Sequence, residues 1–349
     1  MTGRITVRAE TLLRWTITVL EEAGASHPAA VATAEALVDA NQRGLDSHGV
    51  TQLHFYLPGL KAGTTKGDAE PTVETDLPAA AVVDGHHALG PYVARFAMDL
   101  CCSKARAAGA AVVGVRNSTH FGAASCVSEQ AACQNCIGIV VSNSDPGMSP
   151  PGALGPVLGT NPLAVAAPFR HEQPVSLDIA TSVAAQSKVV LAAREGRAIP
   201  AGWATGPDGQ PTTDPASALA GAMLPMGGHK GFGLAVIIDI LAGCLTGSAL
   251  SPEISNDPAH PAPQRTGHLL IAISIDRFVT AEHYGSALER LAHTVHTAPR
   301  APGTDRFLLP GELEASAARR RQAGGIPFDG VTASLLAEIG TTHGVPFPP

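Results

Sequence analysis

Apolar residues recur at helical spacing in the N-terminal part of the chain. Residues 8–24 and 27–46 each carry such a pattern, with Gly24 between them and Pro28 just inside the second segment. A further helix is predicted over 51–62. The chain therefore begins with helices that each bury one apolar face.

From about residue 75 the pattern changes to short apolar runs that alternate with helical segments. Strands are predicted at 79–84, 110–115, 137–142, 163–167, 174–179 and 267–275, and helices at 91–108, 122–135, 229–246 and 280–297. This alternation predicts a layered α/β domain. Helical patterns return at 311–323 and 329–339. We therefore predict an α/β domain over 76–312 and a helical domain formed by 1–75 together with 313–349.

Composition and charge exclude several classes of protein. The 349 residues are 45% apolar and carry a formal net charge of −7. Nucleic acid is not expected as a partner, because its binding needs a clustered positive face and the longest basic run is Arg319–Arg321. The longest apolar run, Phe232–Leu245, is interrupted by Asp239 and is too short to span a bilayer. Without an apolar signal core at the N-terminus, a cytoplasmic protein is expected.

The cysteines do not predict a metal site. Cys133 and Cys136 form a C-x-x-C pair, but the chain has no second pair and no nearby pair of histidines to complete a set of ligands. We therefore expect no metal ion.

The segment Ser47-His48-Gly49 stands where the apolar pattern of the second helix ends. A histidine with a pKa near its usual value of about 6.5 can give or take a proton at neutral pH. The glycine beside it allows a ligand to approach the backbone closely. A helix C-terminus with a capping histidine and a glycine stop explains the same residues, so both interpretations stay open on this segment alone.

Five further polar segments follow predicted strands or open predicted helices. They are residues 116–122, 142–150, 159–163, 178–182 and 227–233. The dinucleotide fingerprint G-x-G-x-x-G is not met in any of them. The glycine-rich segment 227–233 opens an apolar helix, where free N–H groups and Lys230 favour an anion. Each segment alone is also explained as an ordinary turn or helix cap.

Together the six segments resemble one family. The motifs are S-H-G-V at 47–50, H-F-G at 120–122, S-D-P at 144–146, G-T-N-P-L at 159–163, D-I-A-T-S at 178–182 and G-G-H-K-G at 227–231. In this order they resemble the malate/L-lactate dehydrogenase-like oxidoreductases, which are unrelated to the Rossmann-type dehydrogenases. That family includes sulfolactate and ureidoglycolate dehydrogenases, diketogulonate reductase and the piperideine-2-carboxylate reductases. The resemblance covers essentially the whole chain.

The resemblance implies a homodimeric enzyme with a non-Rossmann α/β cofactor domain that uses NAD or NADP, with a slight preference for NADPH. His48 would be the proton donor and acceptor, supported by Ser47, and a small-molecule substrate would bind nearby. The remaining catalytic and substrate-binding positions would be His120, Asp145, Gln52 and Thr160. Cofactor contacts would come from Ser176, Asp178, Thr181, Ser182, Lys188, His229, Lys230, Gly311 and Glu312.

Gln52 departs from the pattern of that family. Relatives that act on 2-oxo or 2-hydroxy acids typically carry an arginine here, which grips the substrate carboxylate, and a neutral amide cannot form that charged fork. Either Arg116, Lys61 or His54 supplies a cation instead, or the substrate lacks a carboxylate at this place. A second departure is Gln186-Ser187-Lys188, where many relatives have a glycine before the lysine, so the local loop geometry and the choice of cofactor stay open.

Three functions are compatible with these residues. The first is hydride transfer between a nicotinamide cofactor and a 2-oxo or 2-hydroxy acid or a close derivative. The second is reduction of a cyclic imine of the piperideine-carboxylate type with NADPH. The third is a relative that binds a metabolite without turnover. Asp145 resembles the hydroxy-acid branch of the family, and G-G-H-K-G resembles the imine branch.

Overall fold

The protein is described by a computed structural model that covers residues 5–170, 172–255 and 262–348. Within these ranges it contains eleven helices. They are α1 (Ala9–Glu22), α2 (His27–Gln42), α3 (Leu53–Ala62), α4 (Gly90–Ala108), α5 (Ala124–Ala132), α6 (Gln186–Arg194), α7 (Pro215–Ala220), α8 (His229–Asp239), α9 (Ala281–His296), α10 (Glu312–Gly324) and α11 (Gly330–Thr342). None of them is long and apolar enough to cross a membrane.

The same ranges contain twelve strands. They are β1 (Ile5–Val7), β2 (Thr72–Leu77), β3 (Ala80–Asp84), β4 (Ala110–Ser118), β5 (Cys136–Ser142), β6 (Leu163–Ala167), β7 (Val175–Ile179), β8 (Ala204–Thr205), β9 (Pro211–Thr212), β10 (Ala222–Met223), β11 (Thr266–Ser274) and β12 (Ile326–Phe328). Seven of them form the central sheet, in the order β2-β3-β4-β11-β5-β6-β7. The prediction of an α/β fold is therefore confirmed.

The direction of the strands was not evident from the alternating pattern. Only β3 and β4 pair in parallel, through the crossover helix α4, and every other neighbouring pair in the central sheet is antiparallel. The reason is β11, which enters from far along the chain between β4 and β5 and runs antiparallel to both. Two strands that run in the same direction are thus separated by a third.

Helices cover both faces of this sheet. On one face Val113 and Leu270 pack with the buried side chains of α4 and α5. On the other face Leu269 packs with Ile238 of α8. After α8 the chain continues as a π-helical turn over Ile240–Cys244, so the predicted helix 229–246 changes its hydrogen-bonding pattern partway.

The two ends of the chain meet in a second core. β1 pairs with β12, and buried side chains of α1, α2, α3 and α11 form one cluster around Leu12, Leu37 and Leu336. The boundaries at 75 and 312 stay a prediction. The short strands β1 and β12 were missed because each has too few residues to show a period.

Candidate active site

Asn41 holds the S-H-G-V segment in place from the end of α2. Its side chain is fully buried, accepts a hydrogen bond from the Val50 amide at 2.8 Å and donates one to Asp46 at 2.8 Å. A Cβ atom at Gly49 would lie 2.3 Å from the Asn41 amide. Arg321 of α10 pairs with Asp46, Nη2 lying 2.8 Å from Oδ2. Gly49 is therefore needed for close packing and does more than end a helix.

His48 is partly buried, and its Nδ1 lies 3.0 Å from the hydroxyl of Ser47. Burial lowers the pKa of His48 below its usual value, and the Asp178 carboxylate opposes that shift in pKa. Asp178 accepts a hydrogen bond from the Ser125 amide in the first turn of α5, at 2.8 Å. The resemblance assigns Asp178 to the cofactor, whereas the structure places it within electrostatic range of His48.

His120 stacks on His48, with ring centroids 6.0 Å apart and planes inclined by 21°. Its Nδ1 lies 2.9 Å from the Tyr56 hydroxyl and 3.4 Å from the Gly122 amide nitrogen. Burial, and then the charge of His48, lower the pKa of His120 to about 3. Because an amide N–H only donates, Nδ1 is an acceptor and the proton of this neutral ring is on Nε2. His120 can therefore donate a hydrogen bond but cannot act as a cation at neutral pH.

The residue at position 52 lies beside the same histidines. Nε2 of Gln52 donates to the carbonyl oxygen of Ser47 at 2.6 Å. Gln52 thus contacts the residue whose hydroxyl lies beside His48, and its role in binding substrate stays a prediction.

His268 is a buried histidine that the sequence analysis missed. It lies on β11, with Nδ1 2.8 Å from the Ser142 hydroxyl and its ring 4.5 Å from that of Phe121. Burial, and then the charge of His120, lower its pKa to about 3. The signal was a single histidine within the apolar run 267–275, a position where a core residue is expected.

Asp239, at the end of α8, anchors the segment that begins with S-D-P. This buried carboxylate accepts hydrogen bonds from Asn143 Nδ2 at 2.8 Å and from the Ser251 hydroxyl at 3.1 Å. Asn143 in turn accepts from the Gly267 amide on β11 at 3.0 Å. No local pattern indicates this cluster, since its members lie far apart along the chain.

The segments that carry Asp145 and Thr160 lie against each other. The side chain of Asn161 accepts a hydrogen bond from the Ser144 amide at 3.1 Å. A Cβ atom at Gly159 would lie 2.3 Å from the Ser144 hydroxyl. S-D-P and G-T-N-P-L therefore pack directly against each other, while the roles of Asp145 and Thr160 stay predictions.

The predicted cofactor segments join this unit through Thr181. Its amide and hydroxyl both donate to the Thr160 carbonyl at 2.9 Å, and its own carbonyl accepts from the Met226 amide at 2.9 Å. A Cβ atom at Gly231 would lie 2.7 Å from that same carbonyl. D-I-A-T-S and G-G-H-K-G are thus in direct contact.

Three predicted cofactor residues expose their side chains: Lys188, His229 and Lys230. His229 and Lys230 form the first turn of α8, directly after Gly228 with φ +65°. Lys188 lies in the first turn of α6, so the segment expected to be a loop is helical. Ser182 is buried, and its hydroxyl donates to the Ala184 carbonyl at 2.8 Å.

The tail motif lies against β7. The Ser176 amide donates to the Pro310 carbonyl at 3.0 Å, and a Cβ atom at Gly311, where φ is +92°, would lie 3.1 Å from Ser176 Cβ. Ser176 and Gly311 are thus brought together. Glu312 pairs instead with His296, at 2.9 Å, so its carboxylate already has a partner.

Metal ligation is not evident in the parts of the chain that the structure describes. No group of three His, Cys, Asp or Glu side chains is arranged there to hold an ion.

Comparison with known proteins extends over nearly the whole chain. The family model described as malate/L-lactate dehydrogenase matches residues 7–337. A (2R)-3-sulfolactate dehydrogenase (NADP(+)) from Chromohalobacter salexigens is 37% identical over 320 residues, which cover 89% of this chain and 93% of the relative. A Δ1-pyrroline-2-carboxylate/Δ1-piperideine-2-carboxylate reductase from Pseudomonas syringae pv. tomato is 38% identical over 320 residues, 90% of this chain and 91% of the relative.

The fold has a close counterpart among solved structures. The crystal structure of malate dehydrogenase from Entamoeba histolytica superposes with a TM-score of 0.95 at 28% sequence identity, covering 99% of this chain and all of the other. The chain therefore belongs to the malate/L-lactate dehydrogenase family and is an oxidoreductase.

Proposed function

We propose that the protein transfers a hydride between a nicotinamide cofactor and a 2-oxo or 2-hydroxy acid or a close derivative, with His48 moving the proton. The observation that carries this proposal is the stacking of the His48 and His120 rings, 6.0 Å apart, with burial lowering the pKa of both and the Asp178 carboxylate in electrostatic range of His48. Two neutral imidazoles supply one proton acceptor and one hydrogen-bond donor for the same substrate oxygen.

In the oxidation direction, the His48 tautomer that carries its proton on Nδ1, 3.0 Å from the Ser47 hydroxyl, has the lone pair on Nε2 free for the substrate hydroxyl proton. Asp178 stabilises the imidazolium ring that results. His120 donates from Nε2 to the same oxygen and holds it in line. In reduction, His48 returns the proton.

The residues present fit a nicotinamide dinucleotide. The Ser176 hydroxyl is buried without a hydrogen-bond partner in the described part of the chain, next to Gly311. The exposed Lys230 at the start of α8 offers a positive charge to a pyrophosphate, beside the positive end of the helix dipole. When bound, the nicotinamide supplies or accepts the hydride. NAD and NADP both remain within the proposal.

Reduction of a cyclic imine is the second candidate, because the Pseudomonas syringae relative carries that activity in its name at 38% identity. A protonated His48 would then supply the proton to the imine nitrogen. Burial, which lowers the pKa of His48, makes that form scarcer at neutral pH than a free histidine would be. Reduction of a carbonyl group needs the same protonated form of His48, so its pKa does not separate the two candidates, and the substrate comparison decides between them.

We also infer that the protein is a homodimer. Ile237, Ile240 and Leu245 are exposed along α8 and the turn that follows it, and apolar side chains clustered on one helix face are typical of an interface. Light scattering of the purified chain tests this, and a monomer would contradict it.

The oxidoreductase proposal is tested by following NADH and NADPH absorbance with purified protein and a panel of 2-oxo acids, their amides and cyclic ketimines. Turnover with at least one oxo compound is expected. Turnover with ketimines alone would favour the second candidate. Absence of turnover with every compound of the panel and with both cofactors would contradict the proposal.

A further inference from the structure

Gln52, Phe55 and Tyr56 share one face at the start of α3, because residues spaced i, i+3 and i+4 lie side by side on a helix. The rings of Phe55 and Tyr56 each have their centroid 6.0 Å from that of His120. The side chain at position 52 therefore extends from the helix face that borders the two histidines.

The amide of Gln52 has a fixed orientation. The Ser47 carbonyl can only accept, so the nitrogen end of the amide faces it, at 2.6 Å. Oε1 has no hydrogen-bond partner in residues 5–170, 172–255 and 262–348, and neither has the second N–H of the amide. Gln52 thus presents one acceptor and one donor to a ligand.

Arg321 and Arg116 both already have carboxylate partners. Arg321 pairs with Asp46, Nη2 to Oδ2 being 2.8 Å. Arg116 pairs with Glu74 at 2.6 Å and approaches Asp84 at 3.4 Å. Moving either arginine to a substrate would break an existing ion pair.

The other two candidate cations, Lys61 and His54, do not face Gln52. Lys61 comes nine positions after Gln52, about 180° around α3 and about 13 Å along its axis. His54 is exposed, and its Nδ1 contacts the Thr51 carbonyl.

The histidines do not supply a positive charge either. Burial lowers the pKa of both His48 and His120, and the groups that act on these pKa values are Asp178 and the histidines themselves. Arg321, Arg116, Lys61 and His54 therefore place no free positive charge against Gln52, and a carboxylate that lost its hydration beside this neutral amide would be bound at a cost.

We propose that the substrate group bound by Gln52 is an uncharged carboxamide, so that the preferred substrates are 2-oxo amides and 2-hydroxy amides. A primary carboxamide donates an N–H to Oε1 of Gln52 and accepts the second N–H of the Gln52 amide. This assignment rests on the proposed oxidoreductase function. The reaction is R–CO–CONH2 + NAD(P)H + H⁺ → R–CHOH–CONH2 + NAD(P)⁺. The carbonyl carbon gains the hydride, and its oxygen gains the proton carried by His48.

The test compares kcat/KM for each 2-oxo acid with that for its own amide, beginning with pyruvate and 2-oxopropanamide. Wild-type protein is expected to prefer the amide by at least about tenfold, the ratio that corresponds to one hydrogen bond to a charged or well-placed group. Gln52→Arg is expected to reverse the preference. Gln52→Met, which keeps the length of the side chain without hydrogen bonds, is expected to abolish it.

A preference of wild-type protein for the acids, with Gln52→Met leaving that ratio unchanged, overturns the substrate assignment while the oxidoreductase function stands. Calorimetric titration of lactamide and lactate onto the full chain with NAD⁺ or NADP⁺ makes the same comparison without turnover. Tighter binding of lactate than of lactamide would overturn the substrate assignment even if no compound of the panel is turned over. Absence of turnover with every compound would contradict the oxidoreductase function, which is a separate result.

Discussion

The hydroxyl of Tyr56 lies 2.9 Å from Nδ1 of His120, and with the Gly122 amide it determines which nitrogen of the ring carries the proton. Tyr56 is 2% exposed, so it holds that hydroxyl in a fixed place. Tyr56→Phe keeps the packing but leaves only the longer contact from the Gly122 amide, at 3.4 Å, to hold the tautomer of His120. We expect kcat to fall about tenfold, the effect of one lost hydrogen bond, and the melting temperature to change little.

Steady-state kinetics and thermal unfolding of Tyr56→Phe check this. Loss of folding without a specific loss of kcat would show that Tyr56 is a core residue and does not orient His120.

The acidic limb of the pH profile tests the pair formed by Asp178 and His48. Oxidation needs neutral His48, so kcat/KM falls as pH drops through the pKa of His48, which burial already lowers. Asp178 acts to raise that pKa, so Asp178→Asn lowers the pKa further and moves the acidic limb to lower pH. Profiles of kcat/KM between about pH 5 and 8 measure the shift around the ordinary histidine pKa.

Asp68→Asn, which removes an exposed carboxylate, is the matched control and should leave the limb in place. If the acidic limb of the pH profile is unchanged in Asp178→Asn, or moves to higher pH, then Asp178 does not raise the pKa of His48.

Gly49→Ala tests the close packing beneath His48. The new Cβ would lie 2.3 Å from the buried Asn41 amide, which would have to give up its bonds to Val50 and Asp46. We expect a loss of about 2 kcal/mol in the free energy of unfolding, the scale of two buried hydrogen bonds, and a larger relative loss of kcat/KM. Gly324→Ala is the control, because no atom lies within 4 Å of its new Cβ.

Chemical denaturation and kinetics on the same samples separate the two effects. If Gly49→Ala behaved like Gly324→Ala in both measurements, Asn41 would have room to move and the packing argument would be wrong.

Asp239→Ala tests the cluster that anchors the S-D-P segment. It leaves Asn143 Nδ2 and the Ser251 hydroxyl and amide without their buried acceptor. The free energy of unfolding should fall by about 3 kcal/mol, as expected when a buried charged partner is removed. Asp239→Asn keeps one acceptor oxygen and should lose less, and equal losses for the two variants would argue against a role of the hydrogen bonds.

The positions of most of the long helices and of the central strands follow from local patterns and so could be predicted, whereas the short strands and the helices α6 and α7 were not. The apolar run of β5 and the glycine that ends α3 are local features of the sequence, and the folded structure keeps the elements that they predict. The order of the strands could not be predicted, because the insertion of β11 depends on side-chain packing between distant segments. The resemblance supplied His48, His120 and Asp178 as site residues, but the proximity of Asp178 to His48 came only from the fold.

The supporting contacts were the least predictable part. Asp46 and Arg321 are separated by 275 positions, and Asn143 and Asp239 by 96, so no local pattern links them. His268 was hidden for a different reason, because a histidine in an apolar strand looks the same whether it borders a site or only fills the core. Gln52 shows the opposite case, since a single departure from a motif pointed to the chemistry of the substrate.

The most direct test of the account is single-turnover kinetics of His48→Ala, with the best oxo substrate of the panel and the cofactor absorbance followed by stopped flow. Loss of a general acid/base should slow hydride transfer by at least about 100-fold while cofactor binding and thermal stability stay close to those of the wild type. His283→Ala, an exposed histidine on α9, should react at the wild-type rate. A His48→Ala protein that folds, binds cofactor and transfers hydride at the wild-type rate would contradict the central claim that His48 carries the proton.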